Sequence, residues 1–540
     1  MAKRKNIVLC ADGTGNRGGY TPDSNVYRMY HAVDIHDANN PQEIYYDNGV
    51  GTEKNKFWRA FTGAMGFGFG ANVRDLYKFL ARKYEPGDQV FLFGFSRGAA
   101  TIRALSGFIA TCGLVDGSGL SNDALTKRVN EEFANYRKWR GNPDKRIEPL
   151  QKDTERCSHG VIDVQFIGVW DTVSALGFPK RTDITSLGMY VLNWLCVLLD
   201  HGTDKIPFLA HLFYNYELTD NVKYAYQALA MDDARTAFWP WVWDEHGRTP
   251  DNVEQVWFAG MHSNVGGGYN RSGMAKVTLE WMMVRASRHG LKLRQDKMSE
   301  VCAEAHVDGR MYDSRDGPAV FYRYHPRQLE KLCRQETFLR RRLCDRDQPF
   351  ALPEKVVQDA KVKPKPSCNK LLGEIRVHNS LIERMCHRTA NYAPSQLPGK
   401  FAVAETDMAV QGKVVEPEQD SQWAADKKIV GWWVLLRKWL YGIMLEATLA
   451  VIITALCLWK WGTASADGTW LTGHLADILK YFLPVMFDNL INVIVLKQPL
   501  IFVAAIVLVV FYIRFRNWAR HRTVLVAERL RKIVMKAVKC

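Results

Sequence analysis

Over residues 1 to about 400, short apolar runs of strand length alternate with stretches of helical pattern, separated by loops rich in Gly, Asn and Asp. The runs at 7–10, 89–94, 165–170, 224–230 and 256–258 are rich in Val, Ile, Phe, Tyr and Trp. Strands alternating with helices predict an α/β fold built on a mostly parallel sheet with flanking helices. In such a sheet the carboxyl ends of the strands form one rim, where polar side chains from distant parts of the chain converge.

The pattern then changes twice. Residues 401–428 are acidic, polar and aperiodic, and read as a linker. Residues 440–458 carry a single charge, Glu446, with Trp432, Trp433 and Trp439 before them and Trp459 and Trp461 after. That is the length and the aromatic flanking of a transmembrane helix. A second apolar run, 499–513, is short for a span and needs Lys497 to snorkel or 491–496 to join it. Lys427, Lys428, Arg437 and Lys438 precede the pair and Arg514, Arg516, Arg520 and Arg522 come after it, so both termini are expected in the cytoplasm. The expected map is a globular unit at 1–400, a linker at 401–428, and a membrane region at 429–516 with a tail at 517–540. The two spans of the membrane region are expected at about 440–459 and 496–513.

Composition refines this map. Of 540 residues, 47% are hydrophobic and 24% charged, enough to bury a large core. The net charge of +15 calls for a polyanion. Residues 514–540 hold nine Lys or Arg against one Glu, and Val524, Leu525, Leu530, Ile533 and Val534 make the tail amphipathic. The charge therefore points to an anionic cytoplasmic leaflet, with the bilayer as partner and no nucleic acid. Eleven cysteines with no C-x-x-C pair argue against a disulfide framework or a structural zinc site, and favour a reducing compartment. The N-terminus is not a signal peptide, because only residues 7–10 are apolar before Asp12.

The chemistry-bearing motif is Gly94-Phe95-Ser96-Arg97-Gly98, set between a β-prone run and a helix-favouring stretch. This G-x-S-x-G spacing makes a nucleophile elbow: the strand turns sharply into a helix, the Ser backbone is strained, and side chains at the Gly positions would collide. The turn lifts the Ser96 hydroxyl clear of the sheet, while the Arg97 N–H faces a developing oxyanion. Asp171, the pair Asp232 and Asp233, and His262 also come just after strand-like runs. Ser96, Asp171 and His262 stand in the chain order Ser, acid, His.

Several ordered blocks resemble an α/β-hydrolase family that includes phospholipase effectors of bacterial type VI secretion. They are Asp12-Gly13-Thr14-Gly15-Asn16, Ser24-Asn25-Val26, residues 45–52, the elbow through Ala99, residues 168–173, residues 257–262, and Gly266-Gly267-Gly268-Tyr269. The resemblance covers roughly residues 5–400. It implies an α/β-hydrolase fold with Ser96 as nucleophile, His262 as general base and Asp171 as the acid orienting it. Asp232 and Asp233 stand as rival acids. The chain departs from the family at Asn264, where an acid is usual, and at Asp233, where Glu is usual. The Gly13 or Thr14 N–H is a candidate second oxyanion donor, against a tight turn in which Asp12 caps the next segment of chain.

Other signals are weaker. The Gly-rich stretch 63–70 lacks G-K-[ST] and reads as a lid segment rather than a nucleotide loop. His211, His246 and His325 lack metal-ligand spacing, so no metal and no cofactor are expected. The basic tract 323–346 reads as a solvated helix face, and residues 378–380 as structural. The sequence thus leads to a membrane-anchored serine ester hydrolase acting on a lipid ester. It would be a multi-pass protein of the cytoplasmic membrane with its globular part on the inside. The alternatives are a catalytically silent interaction module on the same membrane and a secreted lipolytic toxin.

Overall fold

The computed structural model describes residues 4–13, 16, 18–48, 68–141, 152–153, 158–173, 217–249, 251–333, 370–407, 412–461, 473–477, 480, 492 and 499–539. Nine strands form one sheet: β1 (Asn6–Ala11), β2 (Gln42–Asp47), β3 (Gln89–Phe95), β7 (Val164–Trp170), β8 (Val222–Ala230), β9 (Val253–Phe258), β10 (Arg376–His378), β11 (Phe401–Ala404) and β12 (Val414–Val415). Their spatial order is β12-β11-β10-β9-β8-β7-β3-β1-β2. All neighbours run parallel except β12, which is antiparallel to β11 at the edge. Three short strands, β4 (Leu114–Val115), β5 (Lys152–Asp153) and β6 (Ser158–Gly160), form a separate antiparallel patch.

Strand side chains alternate between faces, so each central strand feeds two cores. Ile7 and Leu9 join Val90, Leu92, Ile167 and Val169 on one face. Helices α2 (Phe69–Lys83), α3 (Arg97–Cys112) and α4 (Asn122–Gly141) cover it. Val8, Cys10, Phe91, Phe93, Phe166 and Trp170 fill the other face. There α1 (Asn25–Ala32), α6 (Gly273–Arg288) and α7 (Gln295–Glu304) pack; a single-turn α5 (His262–Gly266) lies between β9 and α6. The expected α/β sheet with flanking helices is what forms.

The carboxyl-terminal third differs from expectation. The stretch read as a linker supplies β11 and β12 to the main sheet, because Phe401 and Val415 are buried against Val377 and Leu381. Beyond it run α10 (Trp423–Trp461) and α11 (Pro499–Val538), after two short helices, α8 (Leu329–Cys333) and α9 (Asn379–Cys386). The expected hairpin of two spans is not supported: among the described residues no helix is long and apolar enough to cross a membrane. The stretch expected as a leaflet-bound tail is not separate either. Residues 517–538 continue α11, and their apolar residues Leu530 and Val534 are fully buried in the core formed by Val377, Leu381 and Met385. Arg531, also buried, donates to the Met385 carbonyl (2.7 Å). Apolar side chains do remain exposed on the pair, including Trp432, Leu435, Trp439 and Ile443 at helical spacing on α10, and Val503, Val507, Val510 and Phe511 on α11. Cys10, Cys112 and Cys302 are free, whereas Cys386 is disulfide-bonded, against the expectation of cysteines without disulfides.

Candidate active site

Register brings the site together. Phe95 pairs with Trp170 and Trp170 with Ala228, while Ala230 pairs with Phe258. The residues just past these levels therefore leave the sheet side by side. Ser96 comes directly after β3 and caps α3 with φ 58° and ψ −120°, a conformation that L side chains rarely adopt. Two glycines permit it. A Cβ at Gly94 would lie 2.7 Å from the Ala99 Cα, and one at Gly98 would run into the Ala11 carbonyl. The elbow is tied to β7 by the Ser96 N–H donating to the Trp170 carbonyl (3.0 Å).

His262, the first residue of α5, places Nε2 2.8 Å from Ser96 Oγ and Nδ1 2.6 Å from Asp171 Oδ2. All three side chains are buried, Asp171 completely. The imidazole is held between the Phe95 ring (4.7 Å between centroids) and the Phe238 ring (4.9 Å). Burial lowers the His262 pKa from its ordinary value, against the pull of the Asp171 carboxylate, which favours the neutral ring.

Asp171 itself has a positive φ of 41° and is clamped from several sides. Arg327 donates through Nη1 to Oδ1 (2.7 Å) and through Nη2 to Oδ2 (2.7 Å), and the Ala230 N–H donates to Oδ1 (2.9 Å). Burial works to raise this carboxyl, but the Arg327 guanidinium and the His262 hydrogen bond outweigh it and hold the carboxyl below its ordinary value. Arg327 is fully buried and also donates to the carbonyls of Ala230 and Phe238. It lies in the basic tract read as a solvated face. Nothing in the sequence separates it from its basic neighbours, because its role comes from a contact 156 residues away along the chain.

The rival acids have other partners. Asp232 accepts from the Gly260 N–H (2.7 Å) and the Tyr392 hydroxyl (2.8 Å), and burial pushes its carboxyl up to about 6. Asp233 takes a two-pronged contact from Arg235 and the backbone N–H of His262 (3.2 Å), not the imidazole. Asn264, where the family has an acid, braces the same loop by accepting from the Met261 N–H (3.3 Å) and donating to the Arg310 carbonyl (3.1 Å).

On the oxyanion side, the Arg97 N–H is the first amide of a sixteen-residue helix and has no intrahelical acceptor. Gly13 is not a free donor: its N–H goes to Asp12 Oδ1 (2.6 Å). Asp12 also accepts from Asn16 (3.0 Å), Ser24 (2.5 Å) and Tyr46 (2.6 Å), which is the tight-turn reading of that loop. Thr14, and residues 63–67 of the Gly-rich stretch, lie outside the described residues. His325 bonds to the Pro326 carbonyl and Lys438, while His378 caps α9, so both are structural. Among the described residues no group of three or more His, Cys, Asp or Glu is placed to hold a metal ion.

A mostly parallel sheet with flanking helices and a buried Ser–His–Asp line at its carboxyl rim defines the general class, an α/β protein with its polar line at a strand-to-helix turn. The chain belongs to the family described as T6SS, Phospholipase effector Tle1-like, catalytic domain, whose sequence model matches residues 5–285, just over half of the chain. Membership supports a lipolytic function in general terms. Among curated proteins, the uncharacterized protein YEL023C of Saccharomyces cerevisiae is 23% identical over 431 residues, covering 58% of this chain and 61% of that protein. The chain thus matches about three fifths of that relative's length. A crystal structure of an uncharacterized protein from Pseudomonas aeruginosa aligns at 16% identity with a TM-score of 0.32, over 73% of this chain and 60% of that one.

Proposed function

We propose that the protein is a serine ester hydrolase acting on phospholipid esters, with Ser96 as nucleophile, His262 as general base and acid, and Asp171 as the carboxylate that orients His262. The observation that carries the proposal is the unbroken line from Ser96 Oγ through both His262 nitrogens to a buried carboxylate. His262 takes the Ser96 proton as Oγ attacks the ester carbonyl, and returns it to the leaving alcohol as the tetrahedral intermediate collapses to an acyl-enzyme. Water, activated by the same imidazole, then releases the fatty acid. Asp171 stays ionised throughout and stabilises the imidazolium. The Arg97 N–H, at the positive end of α3, is the donor suited to the oxyanion.

The proposal includes a membrane setting. The exposed apolar side chains of α10 and α11, flanked by Trp432, Trp439 and Trp518, suit a bilayer surface, and the corresponding location is the inner face of the cytoplasmic membrane. The test is hydrolysis of acyl-ester probes by the full-length protein and by Ser96→Ala, with fluorophosphonate labelling alongside. Ser96→Ala is expected to lose roughly a thousandfold or more of turnover and all labelling. Equal turnover by the two proteins would remove Ser96 as nucleophile.

A further inference from the structure

Where α10 and α11 meet the segment 313–324, guanidinium groups outnumber carboxylates. Arg520 donates to Asp313 Oδ2 (2.6 Å), and Arg516 reaches the same oxygen at 3.6 Å while donating to the Arg315 carbonyl (2.7 Å). Arg315 is buried and spends its side chain on the Tyr322 and Val320 carbonyls and the Tyr512 hydroxyl. Arg437 lies over the Tyr324 ring at 4.2 Å, and Arg315 lies 5.0 Å from that same ring. Among the described residues the Arg437 guanidinium has no carboxylate partner, and its buried Nε finds no hydrogen-bond acceptor. Burial lowers its pKa, and the like charges of Arg315 and Arg520 push the same way.

The Asp313 carboxylate acts on Arg437 only from a distance and is itself paired with Arg520, and a desolvated cation so weakly countered costs free energy unless an anion completes the site. Planar guanidinium groups converging from different elements match the oxygens of a phosphate, which they bind in two-pronged fashion. The exposed apolar residues begin on the same stretch of α10, at Trp432, Leu435 and Trp439 on either side of Arg437. An anion held here would therefore sit at the depth where a bilayer's headgroups meet its acyl chains.

We infer that Arg437, with Arg516 and Arg520 beside Asp313 nearby, is a binding site for the phosphate of an anionic phospholipid, separate from the Ser96 site. The inference rests on the membrane setting proposed above. The anionic lipid seats the helix pair on the bilayer and fixes the orientation of the hydrolase sheet relative to it. It is bound there, not cleaved.

The experiment is flotation of the full-length protein with vesicles of phosphatidylcholine alone and of phosphatidylcholine mixed with phosphatidylglycerol, comparing wild type, Arg437→Gln with Arg520→Gln, and Arg522→Gln. Arg522, whose guanidinium lies near the Trp518 ring, is a control for charge alone. Hydrolysis of a short soluble ester reports that each protein is folded. The double variant is expected to keep soluble-ester activity and lose about 30-fold of its partitioning to anionic vesicles, from a contribution of about fivefold per basic residue. Arg522→Gln, which removes one charge outside the cluster, is expected to lose far less than the double variant. Wild-type flotation with undiminished binding by the double variant would overturn the cluster as the site while leaving the membrane setting intact. Wild type that floats with neither vesicle would overturn the membrane setting, and this site with it. Inorganic phosphate that raises the melting temperature of wild type alone, with no preference for anionic vesicles, would overturn the lipid assignment in favour of free phosphate.

Discussion

At Ser96 and at Asp171 the backbone holds a positive φ, of 58° and 41°, where side chains are strained by about 1–3 kcal/mol each. Both residues belong to the one hydrogen-bonded line through His262, so the strain is concentrated where the two ends of the imidazole must be met at once. In the proposed mechanism His262 sets the pH dependence. Burial depresses its pKa below 6.5, and the base form is the competent one. Activity is lost as pH falls through the His262 value, so the acid limb of kcat/KM is expected to have its midpoint below 6.5. A pH–rate profile on a soluble ester checks this; a midpoint well above 6.5 would show that Asp171 dominates over burial. Arg327 keeps the carboxylate charged across that range, and both of its Nη atoms are engaged by Asp171 and two backbone carbonyls.

At the scale of elements, the elbow depends on how closely α3 approaches β1. Gly98 packs directly on the Ala11 and Asp12 backbone, with no room for a methyl group. Gly98→Ala is expected to push α3 off the sheet, costing at least the roughly 1–3 kcal/mol typical of overpacking and abolishing fluorophosphonate labelling of Ser96. Gly119→Ala, where nothing crowds an added Cβ, is expected to change neither melting temperature nor labelling. The runs at 7–10, 89–94, 165–170, 224–230 and 256–258 were legible as β1, β3, β7, β8 and β9 because central strands buried on both faces are almost wholly apolar. The strands β2, β10, β11 and β12 toward the two ends of the sheet were not, since they are two to six residues long and β2 and β10 are partly polar.

For the whole molecule, the end of the sheet and the two long helices share one core. Val430 of α10 and Leu530 and Val534 of α11 are buried with Val377, Leu381, Met385 and Phe401. Each aliphatic side chain so buried contributes about 1.5–3 kcal/mol. A chain ending after residue 422 is therefore expected to expose this core and to melt at a lower temperature or aggregate, as differential scanning calorimetry and gel filtration would show. A truncated protein as stable and monodisperse as the full chain would mean that the helix pair is a mere appendage. The amphipathic stretch 524–534 lies within α11, with Leu530 and Val534 of its apolar face buried against protein and Leu525 exposed.

By itself the sequence determined the α/β class, the elbow at Ser96, and the order Ser, acid, His, because strand hydrophobicity and the glycines of a tight turn are local signals written in consecutive residues. It left Asp171, Asp232 and Asp233 as competitors, since all three come after strand-like runs. Tertiary structure separates them by contact through register: Trp170 stands beside Phe95, so the residue after β7 is the one whose carboxylate meets the His262 imidazole. The same holds for Arg327, for the Asp12 carboxylate that engages the Gly13 N–H, and for the burial of Leu530 and Val534. Each is a pairing between residues whose chemistry permits several partners, and only the packed chain fixes which partner is within reach.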